Sequence, residues 1–119
     1  MSLKLSVLDQ SPVRPGTTPA QAVAETVDLA RLTDALGYNR YWVAEHHATL
    51  AYAGPAPEIL IGKLAEVTHH IRVGSGGVML MHYSPFKIAE QFRMLETLYP
   101  GRIDLGIGRA PLAARDPLT

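Results

Sequence analysis

Residues 71–101 read IRVGSGGVMLMHYSPFKIAEQFRMLETLYPG, and this stretch contains the strand, loop and helix that make up one building unit of the chain. Residues 71–75 are typical of a short strand that ends at Gly76-Gly77. Ser84-Pro85 then places a hydroxyl at the N-cap and a proline at the first helical position. The helix is expected to end at Pro100-Gly101, and its predicted inward face consists of Ile88, Phe92 and Leu95.

The same unit recurs throughout the sequence. Strands are predicted to begin near positions 3, 41, 71 and 103, with a helix in each gap between them. Strands and helices that alternate at this spacing imply right-handed crossovers and a parallel sheet, so the predicted fold class is α/β. Four units do not distinguish a barrel from an open sheet, because an eight-stranded barrel usually takes about 250 residues.

The first helix shows both its start and its end in the sequence. Thr18 is followed by Pro19 and then by Gln21 at the third position, which is the arrangement of a capping box. Gly37 is expected to end the helix in the left-handed conformation. Helical spacing predicts an apolar face of Val23, Val27, Ala30 and Leu36. It predicts a polar face of Gln21, Glu25, Asp28, Arg31 and Asp34.

Composition excludes several classes of protein. The 11 basic residues balance the 11 acidic ones, so bulk charge attracts neither nucleic acid nor an anionic membrane. The absence of cysteine excludes a disulfide framework and thiolate metal sites. No stretch approaches the roughly 18 to 20 apolar residues of a membrane span, and the first apolar stretch is too short for a signal peptide. We therefore expect a globular protein of the cytoplasm.

The loops that follow the strands carry most of the chemically active side chains. In a parallel α/β sheet all of these loops open on one face, and that face hosts the site. They contain Asp9-Gln10-Ser11, Glu45-His46-His47, Gly76-Gly77 and Gly108-Arg109, whereas the loops that follow the helices carry fewer chemically active side chains. This asymmetry predicts an active site at the carboxyl ends of the strands.

The segment Glu45-His46-His47 is open to more than one role. Adjacent residues that leave a strand point in opposite directions, so two adjacent histidines rarely bind one metal ion. The i, i+4 spacing of the helical zinc motif is missing as well, and no metal site is predicted. A general acid or base is a better interpretation, because histidine titrates near neutrality. A hydrogen-bonded loop histidine without catalytic function is the alternative.

The glycines and Arg109 also allow two interpretations each. Gly76-Gly77 either lets the backbone approach a flat ligand or forms an ordinary bulge or turn. Gly106-Ile107-Gly108 lacks the third glycine of the dinucleotide fingerprint. Arg109 is well placed for a phosphate, although a solvated surface arginine is the commoner outcome. His69-His70 precede the third strand on the opposite side and are expected to form a cationic pair at a helix C-terminus.

These motifs, in this order, resemble the luciferase-like monooxygenase family. The resemblance runs through nearly the whole chain and is carried by residues 5–12, 37–47, 71–80, 89–92 and 99–111. The family fold is an eight-stranded βα barrel (TIM barrel), which implies that residues 1–119 form the N-terminal half of one, an incomplete domain with four strands and three helices. Unpaired strands at the edges of such a half-barrel predict self-association, so a homo-oligomer is expected.

The resemblance also implies a reaction and a cofactor. Family members bind reduced FMN, usually supplied by a flavin reductase, and use O2 to oxygenate a small organic substrate. His46 matches the catalytic histidine, which implies a role as acid or base. Gly76, Gly77 and Val78 match the strand that lies against the isoalloxazine ring, often with a cis peptide bond. Arg109 matches an arginine that reaches the flavin phosphate. Asp9-Gln10 is expected to line the mouth of the barrel.

Two segments depart from the family pattern. The third strand is usually followed by Pro-His-His-Ser-Pro, whereas residues 81–85 read Met-His-Tyr-Ser-Pro, which changes the pocket lining. Residues 112–115 stand where Gly-Thr or Gly-Ser is usual. We expect the parent protein to be an FMN-dependent monooxygenase, and we expect residues 1–119 alone to be inactive. The alternatives are a non-catalytic flavin-binding or self-associating half-barrel, and a deazaflavin-dependent dehydrogenase on the same fold.

Overall fold

The computed structural model describes residues 3–109. Strands and helices alternate along this part of the chain as β1 (Ser6–Asp9), α1 (Pro19–Ala35), β2 (Arg40–Val43), α2 (Pro57–Val67), β3 (Arg72–Met79), α3 (Pro85–Leu98) and β4 (Ile103–Gly108), with a 3-10 turn at Leu80–His82. The strands form one parallel sheet in the order β1-β2-β3-β4. The α/β class and the predicted alternation are confirmed. None of the helices within residues 3–109 has the length and hydropathy needed to cross a membrane.

The register gives the sheet two unlike faces. Val7 pairs with Tyr41, and Tyr41 pairs with Val73, so these side chains share the face that packs against the helices. This face and the helices enclose the core, whose largest fully buried side chains include Tyr41, Val43, Val73, Ile61, Leu64 and Ile71. The inward face predicted for α3 is confirmed, because its three side chains are all buried.

The opposite face of the sheet, called here the open face, carries Leu8, Trp42, Gly74 and Asp104 in neighbouring register positions. Leu8 is 61% exposed, since the three helices within residues 3–109 pack on the other side. At the amino ends of the strands, Asp104 accepts hydrogen bonds from the Nε atoms of two arginines, Arg40 at 3.0 Å and Arg72 at 2.9 Å. The open face therefore combines exposed apolar surface with a charged cluster in which one carboxylate lies between two arginines.

Capping groups fix both ends of α1 and the start of α3, as the sequence predicts. The Thr18 hydroxyl accepts from the Gln21 N–H, and the Gln21 side chain accepts from the Thr18 N–H at 2.7 Å. Ser84 caps α3. Gly37 has a φ of +82° directly after α1, a conformation that glycine adopts without steric cost. The capping box and the glycine stop are confirmed.

The buried face of α1 differs from the predicted one. Leu36 is 64% exposed, whereas Thr26, Thr33 and Asp34 are buried, so the assignments of Leu36 and Asp34 were wrong. The Asp34 carboxylate accepts hydrogen bonds from three consecutive N–H groups, those of His69, His70 and Ile71, at 2.8 to 2.9 Å. This segment enters β3, and the carboxylate satisfies main-chain groups that neither helix nor sheet pairs. His69 and His70 thus have a main-chain role just beyond the end of α2.

The predicted end of β3 was also wrong. The strand continues from Ser75 through Gly76-Gly77 to Met79. Between Ser75 and Val78 the register with β4 shifts by one residue, because Ser75 pairs with Leu105 whereas Val78 pairs with Ile107. Such a bulge leaves the strand paired on both sides of the extra residue. Pairing beyond the bulge also extends β4 to Gly108.

Candidate functional site

The carboxyl ends of the four strands meet at one edge of the sheet, as the sequence predicts. Asp9 ends β1, but its carboxylate lies inside the fold rather than lining a mouth. It accepts hydrogen bonds from the Ser11 N–H at 2.7 Å and from the Tyr41 hydroxyl. Burial, followed by the hydrogen bond to Asp9 and its negative charge, raises the pKa of Tyr41, so the phenol remains a donor. Asp9 therefore fixes the first loop, whereas Gln10 is exposed.

Glu45, which follows β2, is the centre of a network that sequence reasoning missed. Its side chain is completely buried. The carboxylate accepts hydrogen bonds from the Tyr83 hydroxyl and from the Met79 N–H at 3.3 Å, and it pairs with His47 Nε2. Burial, and then the hydrogen bond to Glu45, raises the pKa of Tyr83. The network joins the loop after β2 to the segment after β3.

His46 lies in a different environment from His47. Its ring stacks on Tyr52, with centroids 4.3 Å apart and planes 22° apart. Its Nε2 atom is buried and makes no hydrogen bond to any group in residues 3–109. Burial, and secondarily charge on His47, lowers the pKa of His46, which keeps the imidazole neutral at pH 7. The ring borders a cavity of about 430 Å³ between Ala48 and Pro55. His46 thus offers an unused hydrogen-bonding atom.

Gly76 and Gly77 lie in the bulge, and the peptide bond between them is cis, as the resemblance implies. A Cβ on Gly77 would lie 2.8 Å from the Gly108 nitrogen, so packing against β4 already requires glycine there. Gly76 is exposed, and a Cβ there would lie 3.3 Å from Trp42 Cβ. The side chain of Val78 is fully buried in the core, so only its main chain can face a ligand.

Trp42 is a second feature that sequence reasoning missed. Its ring lies across the backbone of the open face, within 2.8 Å of a Cβ built on Gly74 and 3.6 Å of one built on Gly106. Glycines at these positions make room for the indole, which gives the open face a flat aromatic surface beside Gly76. The alternation of side chains along β2 could have indicated this face, but the matching glycines lie on two other strands.

Arg109 is exposed and directly follows β4 at the carboxyl edge. The structure thus brings His46, Gly76-Gly77 and Arg109 to the ends of three neighbouring strands. His82 lies in the 3-10 turn after β3 and is exposed. Within the described residues, no group of three or more histidine, cysteine, aspartate or glutamate side chains could hold a metal ion.

Comparison with known proteins places this chain in a family. The sequence matches the luciferase-like monooxygenase family over residues 1–117. N-acetyl-S-alkylcysteine monooxygenase of Bacillus subtilis (strain 168) is 55% identical over 109 residues, which are 92% of this chain and 33% of that protein. The chain spans about a third of the length of the curated relatives it matches.

Solved structures that share the fold include two monooxygenase-family proteins at 25% identity or more. Apo-MsnO8 superimposes with a TM-score of 0.92 at 58% identity, covering 98% of this chain and 35% of that one. The second structure is the oxygenating constituent of 3,6-diketocamphane monooxygenase from the CAM plasmid of Pseudomonas putida, a type II Baeyer-Villiger monooxygenase in complex with FMN. It superimposes with a TM-score of 0.87 at 25% identity and covers 98% of this chain and 32% of that one. The expected TIM-barrel fold class is confirmed, and the chain belongs to the luciferase-like monooxygenase family.

Proposed function

We propose that residues 1–119 are the N-terminal part of a barrel that uses reduced FMN and O2 to oxygenate a small organic substrate. Membership of the family and the FMN complex of the similar Pseudomonas putida protein support this cofactor. The Bacillus subtilis relative, named for N-acetyl-S-alkylcysteine, supports a small organic substrate. A flavin reductase is proposed as the source of the reduced cofactor.

The observation that carries the proposal is the buried Nε2 atom of His46, which lies beside a cavity and has no partner in the part of the chain that the structure describes. A buried polar atom without a partner is unfavourable by about 1 to 3 kcal/mol, so such atoms are commonly satisfied by a ligand or by water. The low pKa of His46 leaves it neutral, and a neutral imidazole can accept a proton. We therefore propose that His46 is the acid or base of the reaction.

The residues at the carboxyl edge fit a flavin mononucleotide. The exposed main chain at Gly76, which has no Cβ, leaves room for a flat ring, and main chain of Gly77 and Val78 continues that surface. Arg109 supplies an exposed cation for the phosphate. Bound FMN, in its reduced form, supplies the electrons with which O2 is activated. The protein residues bind the ring, hold the phosphate and exchange the proton.

The cofactor assignment is tested by comparing FMN with riboflavin, which lacks the phosphate. In the full-length protein, Arg109→Ala should weaken FMN binding about tenfold, since a hydrogen bond to a charged group contributes about 1.5 kcal/mol or more. Riboflavin binding should not change. Arg14→Ala is the matched control, because Arg14 is exposed but pairs with Glu25 on α1. Equal losses for both ligands would refute the phosphate role, and tighter binding of a deazaflavin than of FMN would favour the dehydrogenase alternative.

The oxygenase assignment is tested by turnover. The full-length protein, with a flavin reductase, FMN and NADH, should transfer an atom of ¹⁸O2 to a small organic substrate such as a thioether. His46→Ala should lower kcat by about 10²- to 10⁴-fold, which is the usual contribution of general acid–base catalysis. Unchanged oxygenation by His46→Ala would exclude the proposed role of this residue.

The exposed apolar side chains of the sheet favour the second candidate, a self-associating half-barrel, for the 119 residues alone. Leu8 on β1 is 61% exposed, and Leu105 and Ile107 on β4 are 42% and 59% exposed. We propose that these exposed side chains, which lie on the two outer strands of the sheet, drive association, because exposed apolar surface marks contact sites. Analytical ultracentrifugation that shows a compact, stable monomer would contradict the proposal.

A further inference from the structure

The Glu45 carboxylate has three hydrogen-bond donors around it, and none of them belongs to the role proposed for His46. The Tyr83 hydroxyl and the Met79 N–H can act only as donors toward a carboxylate, and both point at Glu45. The third contact is His47 Nε2. An ionised carboxylate only accepts hydrogen bonds, so Nε2 must carry the hydrogen in this contact. In a neutral ring, the other nitrogen of His47, Nδ1, is then left with its lone pair.

We propose that His47 is a second proton acceptor of this site, that Glu45 fixes its tautomer and orientation, and that Tyr83 holds Glu45 in place. The arrangement is that of other carboxylate–histidine pairs, in which the carboxylate accepts a hydrogen bond from one ring nitrogen and the other ring nitrogen acts as a base. A proton taken up at Nδ1 would give an imidazolium whose Nε2–H remains on Glu45, so the new positive charge is formed against a buried negative one.

Burial separates the Glu45 carboxylate from its two side-chain partners. The Glu45 side chain is fully buried and cannot meet a substrate, whereas 26% of the His47 side chain is exposed. Tyr83 is 37% exposed, and its hydroxyl also lies 3.4 Å from His47 Nε2. Glu45 is therefore a positioning residue, and Tyr83 supports it because its hydroxyl donates to the Glu45 carboxylate. His47 is the partly exposed member with a ring nitrogen that is not bound to Glu45. The role in catalysis rests on the proposed function, whereas the tautomer does not.

The tautomer is tested by nitrogen NMR of the imidazole rings at about pH 8.5, where an ordinary histidine is neutral. We expect His47 to be purely in the Nε2–H form, with a slowly exchanging, downfield Hε2 resonance. Glu45→Gln and Tyr83→Phe should speed the exchange of this proton and mix the tautomers. Tyr99→Phe is the matched control, because the hydroxyl of Tyr99, directly after α3, donates an exposed hydrogen bond to Glu66 on α2 at 2.9 Å. A ring protonated at Nδ1, or at both nitrogens, in the unmodified protein would overturn the proposal.

The acid–base role is tested in the full-length protein by turnover. His47→Gln should lower kcat by about 10²-fold or more with little change in KM. Glu45→Gln and Tyr83→Phe should lower kcat less, again without raising KM, whereas Tyr99→Phe should do neither. Full turnover by His47→Gln would overturn the role of His47 even if the NMR result holds. If the unmodified protein shows no flavin-dependent turnover, the proposed function fails, and the NMR result still decides the hydrogen-bonded arrangement.

Discussion

Replacing Asp34 with alanine removes three main-chain hydrogen bonds at once. Ile71 is 1% exposed, so its N–H would lose its acceptor without gaining water, which is unfavourable by about 1 to 3 kcal/mol. His69 and His70 are exposed residues, and water can replace the carboxylate at their N–H groups, so each bond contributes only about 0.5 kcal/mol. We expect Asp34→Ala to lower the free energy of unfolding by about 2 to 4 kcal/mol.

Urea denaturation measures this loss, followed by far-ultraviolet circular dichroism and by the fluorescence of Trp42, the single tryptophan. With a slope near 2 kcal/mol per molar urea, the midpoint should fall by about 1 to 2 M. Asp28→Ala is the control, because Asp28 is an exposed aspartate on the same helix, and its effect should stay within about 0.5 kcal/mol. A loss below about 1 kcal/mol for Asp34→Ala, or an equal loss for Asp28→Ala, would refute the reasoning.

Three further predictions concern stability. Burial alone would raise the pKa of Asp34, but the N–H groups of Ile71, His69 and His70 together lower it. Its stabilisation should therefore be present above the unfolded-state pKa of about 3.9 and be lost as pH falls through the lower folded value. The gap between the parent protein and Asp34→Ala, measured by urea denaturation, should shrink below about pH 4, and a constant gap contradicts this. Gly77→Ala should destabilise the protein by about 1 to 3 kcal/mol, because its Cβ would meet the rigid backbone of β4 at 2.8 Å. A thermal midpoint equal to that of the parent would show that the bulge can relax. Gly62→Ala should stabilise the protein by about 0.5 to 1 kcal/mol, since helix α2 gains propensity and the nearest atom, Leu95 Cδ2, lies at 3.5 Å. A lower thermal midpoint for this variant would mean that the contact is too tight.

Part of the candidate site was predictable because it depends on the order of the strands. Parallel strands bring their carboxyl ends to one edge, so the sequence alone placed His46, Gly76-Gly77 and Arg109 near one another. Their roles rest on the resemblance to the family and stay predictions. Asp9 was expected to line a mouth, but it binds Tyr41 and Ser11 inside the fold.

The Glu45 network was not predictable from spacing. The donors of Glu45 at Met79 and Tyr83 lie 34 and 38 residues further along the chain. A glutamate after a strand is usually solvated, and the residues around Glu45 in the sequence do not indicate that its side chain is fully buried. Only the packing of the segment after β3 over the loop after β2 brings the partners together.

The sequence by itself determined where α1 begins and ends, where α3 begins, and that strands and helices alternate. These features depend on hydrogen bonds between residues only three or four positions apart, as at Thr18 and Gln21. The tertiary structure alone decided which face of α1 is buried, where β3 bulges and which carboxylates become enclosed. Those outcomes depend on partners from other elements, such as the β3 entrance for Asp34 and the backbone of β4 for Gly77, and they arise only when the sheet and its helices pack together.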